Sequence, residues 1–551
     1  MNKSLLTAAM TLCLCMAAAA APRSQSPSPP QIAPAEGTAL VALARSAMVE
    51  YLLRRTPADV QAIPEALKAL EGKSLSVGVT LRDKGTLLAR RVVQDKSLPR
   101  NVIAAALAAM RSPRAPDVVT AAYLSGLTVE IEVLGESQTV SQADLPEVLV
   151  PGLTGVSASR GLDDSFVLPS ESYVGGFDVD EIVRTCLAAL PIKPQSANLP
   201  VRWAAFASSH YVGYPDGKTY WLYRGKALLP PEMIDKESLS SAAQEVGLFL
   251  LRNVDKSGAF GLPEGTPTLA EQMYATFAMA RLAARTRRKE FSSGANAALA
   301  FAVKRLSQQG GLASFAGVPD DEQIQAASLL VMAIRQMPAN AEGDALCKKV
   351  LAGIDKAVAG LPEPDANAAR RRPPLKALAL AHLAASAAGD AALRAAVDKW
   401  ISAHKIVASD AETASWLIVA GIVENRNWTI IPNPAMPAPV AAGGSQLDEA
   451  GGFAAKEVPP TTVSTALAAA NLAAGHGWPG MIFPKPPATD AARRETILGA
   501  KRFCRQMMYK PCEVYHSPNV NQWIGGVRAS PQTAHVTLWA CAAAIEALLT
   551  E

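Results

Sequence analysis

The sequence predicts a multidomain protein in which an α+β N-terminal domain precedes an all-α (α/α)6 toroid. Length is the first observation: 551 residues exceed what one hydrophobic core sustains, so at least two domains follow. Composition is the second, because 49% hydrophobic but only 5% aromatic residues, with abundant Ala and Leu, favour packed helices. The third is a repeat in which a Gly-bearing turn leads into an Ala/Leu-rich helix. It occurs at Ser257-Gly258-Ala259-Phe260 before Thr268–Ala284 and at Gly310-Gly311-Leu312 before Ile324–Met337. It returns at Gly451-Gly452-Phe453 before Thr461–Ala474 and at Gly525-Gly526-Val527 before Gln532–Leu549.

Lys3, the apolar run from Leu5 to Ala21 and the small residues before Pro22 have the order of a secretory signal, expected to occupy residues 1–21. Residues 22–36, rich in Pro, Ser and Gln, are expected to form a disordered tether. No later stretch is long and apolar enough to span a bilayer, so the mature chain is expected to be periplasmic or secreted with no transmembrane segment. A net charge of +4 over this length is too small for an electrostatic nucleic-acid binder.

From residue 37, Leu40, Leu43, Ala44, Ala47 and Tyr51 recur at helical spacing and predict an opening helix to about Arg54. Leu75, Val77, Val79 and Leu81 alternate with smaller residues up to the turn Asp83-Lys84-Gly85, and Leu87–Val93 returns as the second strand of a hairpin. Pro99–Met110 reads as a helix, Leu127–Leu134 as a strand, and Asp178–Leu190 as a helix with an acidic start. Trp203, Phe206, Tyr211, Tyr214, Tyr220, Trp221 and Tyr223 gather around Pro215-Asp216-Gly217-Lys218, as strands about a tight turn. Such aromatics either fill a sheet face or domain interface, or stack on sugars.

The ordered landmarks Leu127–Leu134, Pro151-Gly152-Leu153-Thr154-Gly155, Phe166-Val167-Leu168-Pro169, Phe177-Asp178 and Cys186-Leu187 resemble those of the AMMECR-one domain family. The resemblance implies that family's fold for residues 37–230, with the aromatic-rich strands at its C-terminal end. One segment departs from it. The family's Leu-Arg-Gly-Cys-Ile-Gly run would fall at Leu87–Val93, where both glycines and the cysteine are replaced.

Residues 238–551 read as helices of two kinds. Outer ones are amphipathic: Leu393, Ala396, Val397, Trp400 and Ile401 form one stripe, while Arg394, Asp398, Lys399 and Ser402 face away. The others, at 269–284, 324–337, 375–388, 411–423, 461–474 and 532–549, alternate with these as an inner ring, and among them Thr413–Val423 and Thr537–Leu549 are apolar nearly all round, as helices covered on most sides require. Six of them give about 52 residues per unit, the length of one antiparallel helix pair with its loops. The Gly-Gly-aromatic turns and their helices resemble the α/α-toroid of the terpenoid cyclase and prenyltransferase superfamily, with Gly525–Leu549 similar to squalene-cyclase-like repeats. Pro- and Gly-rich sequence from Ile431 to Gly444 stands where the fifth outer helix is due.

The resemblance implies an acid motif or a carboxylate cluster for that superfamily's reactions. Asp320-Asp321-Glu322 and Asp410 with Glu412 come nearest, at helix starts where the macrodipole and capping alone favour acids. If the inner helices run alike, Glu271, Tyr274, Asp321, Gln325, Glu412, Trp416 and His535 converge on one mouth of the ring and form the candidate ligand-binding set. Capping and loop packing are the alternative roles for each. Cys504 and Cys512 are expected to form a disulfide in an exported chain; their spacing with His516 matches no common closed zinc site, so neither metal nor cofactor is expected.

Without an acid motif and without the Cys-bearing segment, the sequence favours an exported scaffold of the cell envelope that binds a ligand or protein partner at a toroid cavity. The alternative is a toroid enzyme acting on a polyisoprenoid or polysaccharide by general acid/base chemistry from Glu271, Asp321 or His535.

Overall fold

A computed structural model describes residues 27–57, 61–94, 96–111, 114, 119–191, 199–361, 374–402, 411–421, 438–440, 446–454, 459–473 and 489–550. The expected signal segment and most of Ile431–Gly444 lie outside these residues. The chain divides into two compact units, Met1–Asp83 with Leu87–Trp221, and Leu222–Glu551 with Lys84–Thr86.

In the first unit the chain runs through α1 (Pro34–Arg54), β1 (Val77–Asp83), β2 (Thr86–Val93), α2 (Leu98–Met110), α3 (Ala121–Ser125), β3 (Thr128–Leu134) and β4 (Gln138–Val140). It continues through α4 (Leu145–Val148), β5 (Thr154–Arg160), β6 (Asp163–Val167), α5 (Pro169–Gly175), α6 (Val179–Ala189), β7 (Arg202–Gly213) and β8 (Thr219–Leu222). The sheet order is β2-β1-β3-β7-β5-β6, with β4 and β8 also on β7. β1 pairs antiparallel with β3, β3 with β7, β7 with β5, and β5 with β6. Alternation sets the faces: Val77, Val79, Leu81, Val129, Ile131 and Val133 bury in the same core as α1 and α2. Arg45 fastens α1 to the strands, donating to the carbonyls of Leu127 (2.7 Å) and Gly213 (2.9 Å).

The elements expected between residues 37 and 190 are present, and Trp203, Phe206 and Tyr211 are buried in β7, as a sheet-face reading requires. The expected disordered tether needs correction in its second half. Ser209 donates its hydroxyl to Pro30 O and Tyr211 donates to Ile32 O, each at 2.7 Å, so the chain is fastened to β7 at Pro30 and Ile32. The helix then begins at Pro34, where the missing N–H costs no intrahelical bond.

The second unit contains α7 (Lys236–Arg252), α8 (Leu269–Thr286), α9 (Lys289–Arg305), β9 (Leu306–Gln309), β10 (Leu312–Phe315), α10 (Asp320–Gln336), α11 (Ala341–Ala359), α12 (Leu375–Ala388) and α13 (Ala391–Ser402). It ends with α14 (Ala411–Val419), β11 (Ala438–Pro439), β12 (Phe453–Ala454), α15 (Thr462–Ala473), α16 (Asp490–Gln506) and α17 (Leu538–Leu549). Helix α8 packs on α10, α10 on α12, α12 on α14, α14 on α15, α15 on α17, and α17 back on α8. Helices α7, α9, α11, α13 and α16 lie against α17, α8, α10, α12 and α15 respectively.

The repeated turns have a physical reason to keep glycine. Gly258, Gly451 and Gly525 have φ of +94°, +84° and +81°, and a Cβ on Gly525 would lie 2.6 Å from the Glu245 carbonyl oxygen of α7. Each turn is then tied to its own helix. Phe260 N–H donates to Gln272 Oε1 (2.8 Å), Phe453 N–H to Thr465 Oγ1 (2.9 Å), and Val527 N–H to Cys541 Sγ (3.4 Å).

Two helix starts differ from expectation. Helix α10 begins at Asp320, taking Asp320-Asp321-Glu322 into its first turn, where the dipole favours acids. The last helix begins at Leu538 and not at Gln532, because Thr537 caps it by accepting the Ala540 N–H at 3.1 Å. The boundary between the units also lies upstream of the expected residue 230. Within the second unit, Lys226 donates to Pro531 O (2.6 Å) and pairs with Asp448 (2.7 Å), while Arg502 donates to Leu229 O (2.8 Å).

Candidate functional site

In the second unit, three aromatic rings from the early turns of three different helices meet. Tyr274 of α8 and Trp416 of α14 stand 5.5 Å apart between ring centroids, Tyr274 and Trp539 of α17 4.7 Å, and Trp416 and Trp539 6.2 Å. Tyr274 is 1% exposed and Trp416 3%. Neither the Tyr274 hydroxyl nor the Trp416 indole N–H has a hydrogen-bond partner among the described residues. A buried polar group left in that state costs about 1–3 kcal/mol.

Lys376, in the first turn of α12, lies over one of these rings with its ammonium 3.5 Å from the centre of Trp539, and it pairs with Glu412 in the first turn of α14. On the neighbouring pair of helices, Leu269 N–H of α8 donates to Glu322 of α10 at 2.8 Å. These contacts set the first turns of α8 and α10, and of α12 and α14, side by side. Arg281 and Glu546 form an ion pair further along α8 and α17, about 10 Å beyond Tyr274 and Trp539 by helical rise. Burial pushes the Glu546 carboxyl up to about 7 against the opposing pull of Arg281.

The structure therefore joins Tyr274, Trp416 and Glu412 of the expected set. Glu271 is engaged in a capping box with Thr268, accepting its N–H at 2.8 Å. Asp321 is exposed in the first turn of α10 and Gln325 half-buried one turn on. His535 sits in the loop before α17 and bonds Glu264 at 3.0 Å. The expected disulfide is a further correction. Cys504 and Cys512 are both free, Cys504 being buried in α16 with its thiol pushed up to about 12 by burial. Sequence reasoning missed Lys376, Trp539, Arg281 and Glu546, although Glu546 is the one charge in Leu538–Leu549, a helix apolar on every other face. A cleft of about 550 Å³ lined by Leu299, Val303, Arg335 and Asn340 holds none of the expected residues.

The first unit has a polar layer of its own. On the sheet face opposite the α1/α2 core, Arg82 of β1 pairs with Glu130 of β3, which His210 Nε2 of β7 approaches at 3.3 Å. All three are buried. Burial alone would raise the Glu130 carboxyl, but Arg82, His210 and Arg90 together bring it down to about 2. Beside it, Glu132 accepts from Ser208 Oγ at 2.9 Å through one oxygen, while the other has no partner among the described residues.

A family model for AMMECR1 matches residues 41–211, the stretch that builds this sheet. A protein of Methanothermobacter thermautotrophicus is 32% identical over 165 residues, which cover 28% of this chain and 82% of that protein. The chain belongs to the AMMECR1 family. The crystal structure of an uncharacterized protein from Pyrococcus horikoshii is 22% identical, covering 35% of this chain and 98% of that one, with a TM-score of 0.30. In this AMMECR1 domain, Leu87–Val93 is β2, and Arg90 there donates to Thr80 Oγ1 at 3.1 Å and pairs with Glu171. Arg90 thus adds a cation to the polar layer in the segment that lacks the family's cysteine. Among the described residues, no helix is long and apolar enough to cross a membrane.

Proposed function

We propose that this protein is an exported scaffold of the cell envelope that binds a small ligand at the aromatic centre of an (α/α)6 toroid. The toroid reading is supported by the closed succession of neighbours from α8 to α17 and back, and by the five flanking helices. Export rests on the charged, apolar and small-residue order of the first 21 positions. The observation that carries the binding reading is the pair of buried, unbonded polar groups on Tyr274 and Trp416, set against a third ring on Trp539. Sites of this kind combine apolar walls with a few fixed polar groups that orient a ligand. The same end carries Glu271, Asp320, Asp321, Glu322 and Glu412, which suits a hydroxyl-rich or cationic group.

The test is thermal denaturation of the full chain with the small-molecule fraction of an envelope extract. A ligand that binds only the folded state raises Tm. The rise is expected for the wild type and lost in Trp539→Leu; an equal rise in both, or none in either, defeats the proposal.

One observation favours the enzyme alternative. Glu546 is buried, has one oxygen unbonded among the described residues, and is brought near neutral pH by burial, the condition for a general acid. Glu271 and His535, already engaged with Thr268 and Glu264, are less suited to that role.

A further inference from the structure

We propose that the aromatic centre is a seat for an organic ammonium bearing an oxygen acceptor nearby, and that Lys376 fills this seat when no ligand is bound. The inference rests on the ligand-binding reading above and names its ligand class.

Lys376 reports what its surroundings recognise. Its ammonium lies over the indole face of Trp539, 3.5 Å from the ring centre, and pairs with the Glu412 carboxylate. An aromatic face with a neighbouring carboxylate is the chemistry that holds a cation. Trp539 and Glu412 come from α17 and α14, so two helices other than that of Lys376 build the seat. The Lys376 and Glu412 side chains are 22% and 33% exposed, which leaves the seat reachable from solvent. A lysine head on a flexible four-carbon stem can swing away without moving the backbone. Acids outnumber bases in the surrounding first turns, with Glu271, Asp320, Asp321 and Glu322 close in sequence to the same helix ends.

The second half of the ligand class comes from Tyr274 and Trp416, whose rings pack against Trp539. Trp416 Nε1 is a donor only, and the Tyr274 hydroxyl donates as well as accepts. An ammonium head cannot satisfy the Trp416 N–H, whereas a hydroxyl or carboxylate oxygen a few bonds away from that head can. Amino alcohols and betaines have this form.

The experiment is calorimetric titration of the full chain with choline and with 3,3-dimethylbutan-1-ol, its uncharged isostere, in the wild type and in Lys376→Ala. Circular dichroism checks that the variant is folded. Choline is expected to bind Lys376→Ala about tenfold more tightly than the wild type, because the internal competitor is gone, and the uncharged alcohol at least about tenfold more weakly than choline. Adding Trp539→Leu to Lys376→Ala should abolish choline binding. Equal binding of choline and the alcohol overturns the ammonium class but leaves a ligand site in place. Equal choline affinity in wild type and Lys376→Ala overturns the role of Lys376. No binding of either compound to a folded Lys376→Ala overturns the proposal, and the envelope-extract measurement then decides whether the site binds a ligand of another class.

Discussion

Tyr274 and Trp416 stand edge to face, ring centroids 5.5 Å apart at 67°, each with its polar hydrogen buried and unbonded among the described residues. The ring of Tyr274 therefore stabilises the helix packing while its hydroxyl opposes it. Tyr274→Phe is expected to leave Tm unchanged or raise it, whereas Tyr274→Ala should cost about 3–5 kcal/mol by opening a cavity. Thermal denaturation of the two variants checks this, and a clear loss of stability in Tyr274→Phe would mean that the hydroxyl is bonded within the protein.

Glu546 makes stability depend on pH in a defined direction. Burial, offset in part by Arg281, raises its carboxyl from 4.5 to about 7 in the folded protein. The folded state then holds a proton that the unfolded chain releases, so this group favours folding below 4.5 and loses that contribution as pH rises to about 7. Glu546→Gln is expected to be more stable than the wild type at pH 8, by on the order of 1–3 kcal/mol, and to converge with it below pH 4.5. Urea denaturation across pH measures the difference, and a gap independent of pH would contradict the burial of this carboxyl.

Glu130 has the opposite sign. Burial raises its carboxyl, but Arg82, His210 and Arg90 outweigh burial and hold it near 2, so its contribution is complete above the ordinary 4.5 and is lost as pH falls towards 2. Glu130→Gln at pH 7 leaves Arg82 buried without its carboxylate and should cost about 3–5 kcal/mol. Denaturant unfolding followed through the AMMECR1 domain reads this directly.

His535 should titrate above its ordinary 6.5, because its bond to Glu264 favours the charged ring more than its partial burial opposes it. The pair is half exposed, so its effect on stability is small, present below the unfolded value and fading as pH rises through the folded one. An NMR titration should show the shift, and Glu264→Gln should abolish it.

Much of the fold was legible because its signals are local. Alternation in Val77–Leu81 and Val129–Val133 marks strands with one apolar face, and a run apolar nearly all round such as Leu538–Leu549 marks a helix buried at almost every position. Thr537 shows the limit of the same reasoning: its cap moved the last helix start past His535 and took that residue off the helix. Tyr274, Trp416 and Glu412 could be drawn together from their positions near helix starts. Lys376 could not, since its place over Trp539 depends on how α12 and α17 sit in the unit and on no spacing within either. The polar layer of Arg82, Glu130 and His210 was hidden for a related reason, because alternating Thr, Arg and Glu on a strand read as a solvated face when the sequence does not reveal what covers it.

The central claim is that the Tyr274, Trp416 and Trp539 centre holds a ligand, and native mass spectrometry of the full chain exposed to an envelope small-molecule fraction tests it most directly. The wild type is expected to carry an added mass that Trp539→Leu lacks and that Tyr274→Phe, with unchanged stability, binds less well. An added mass of equal occupancy in all three proteins, or none in the wild type, would contradict the account.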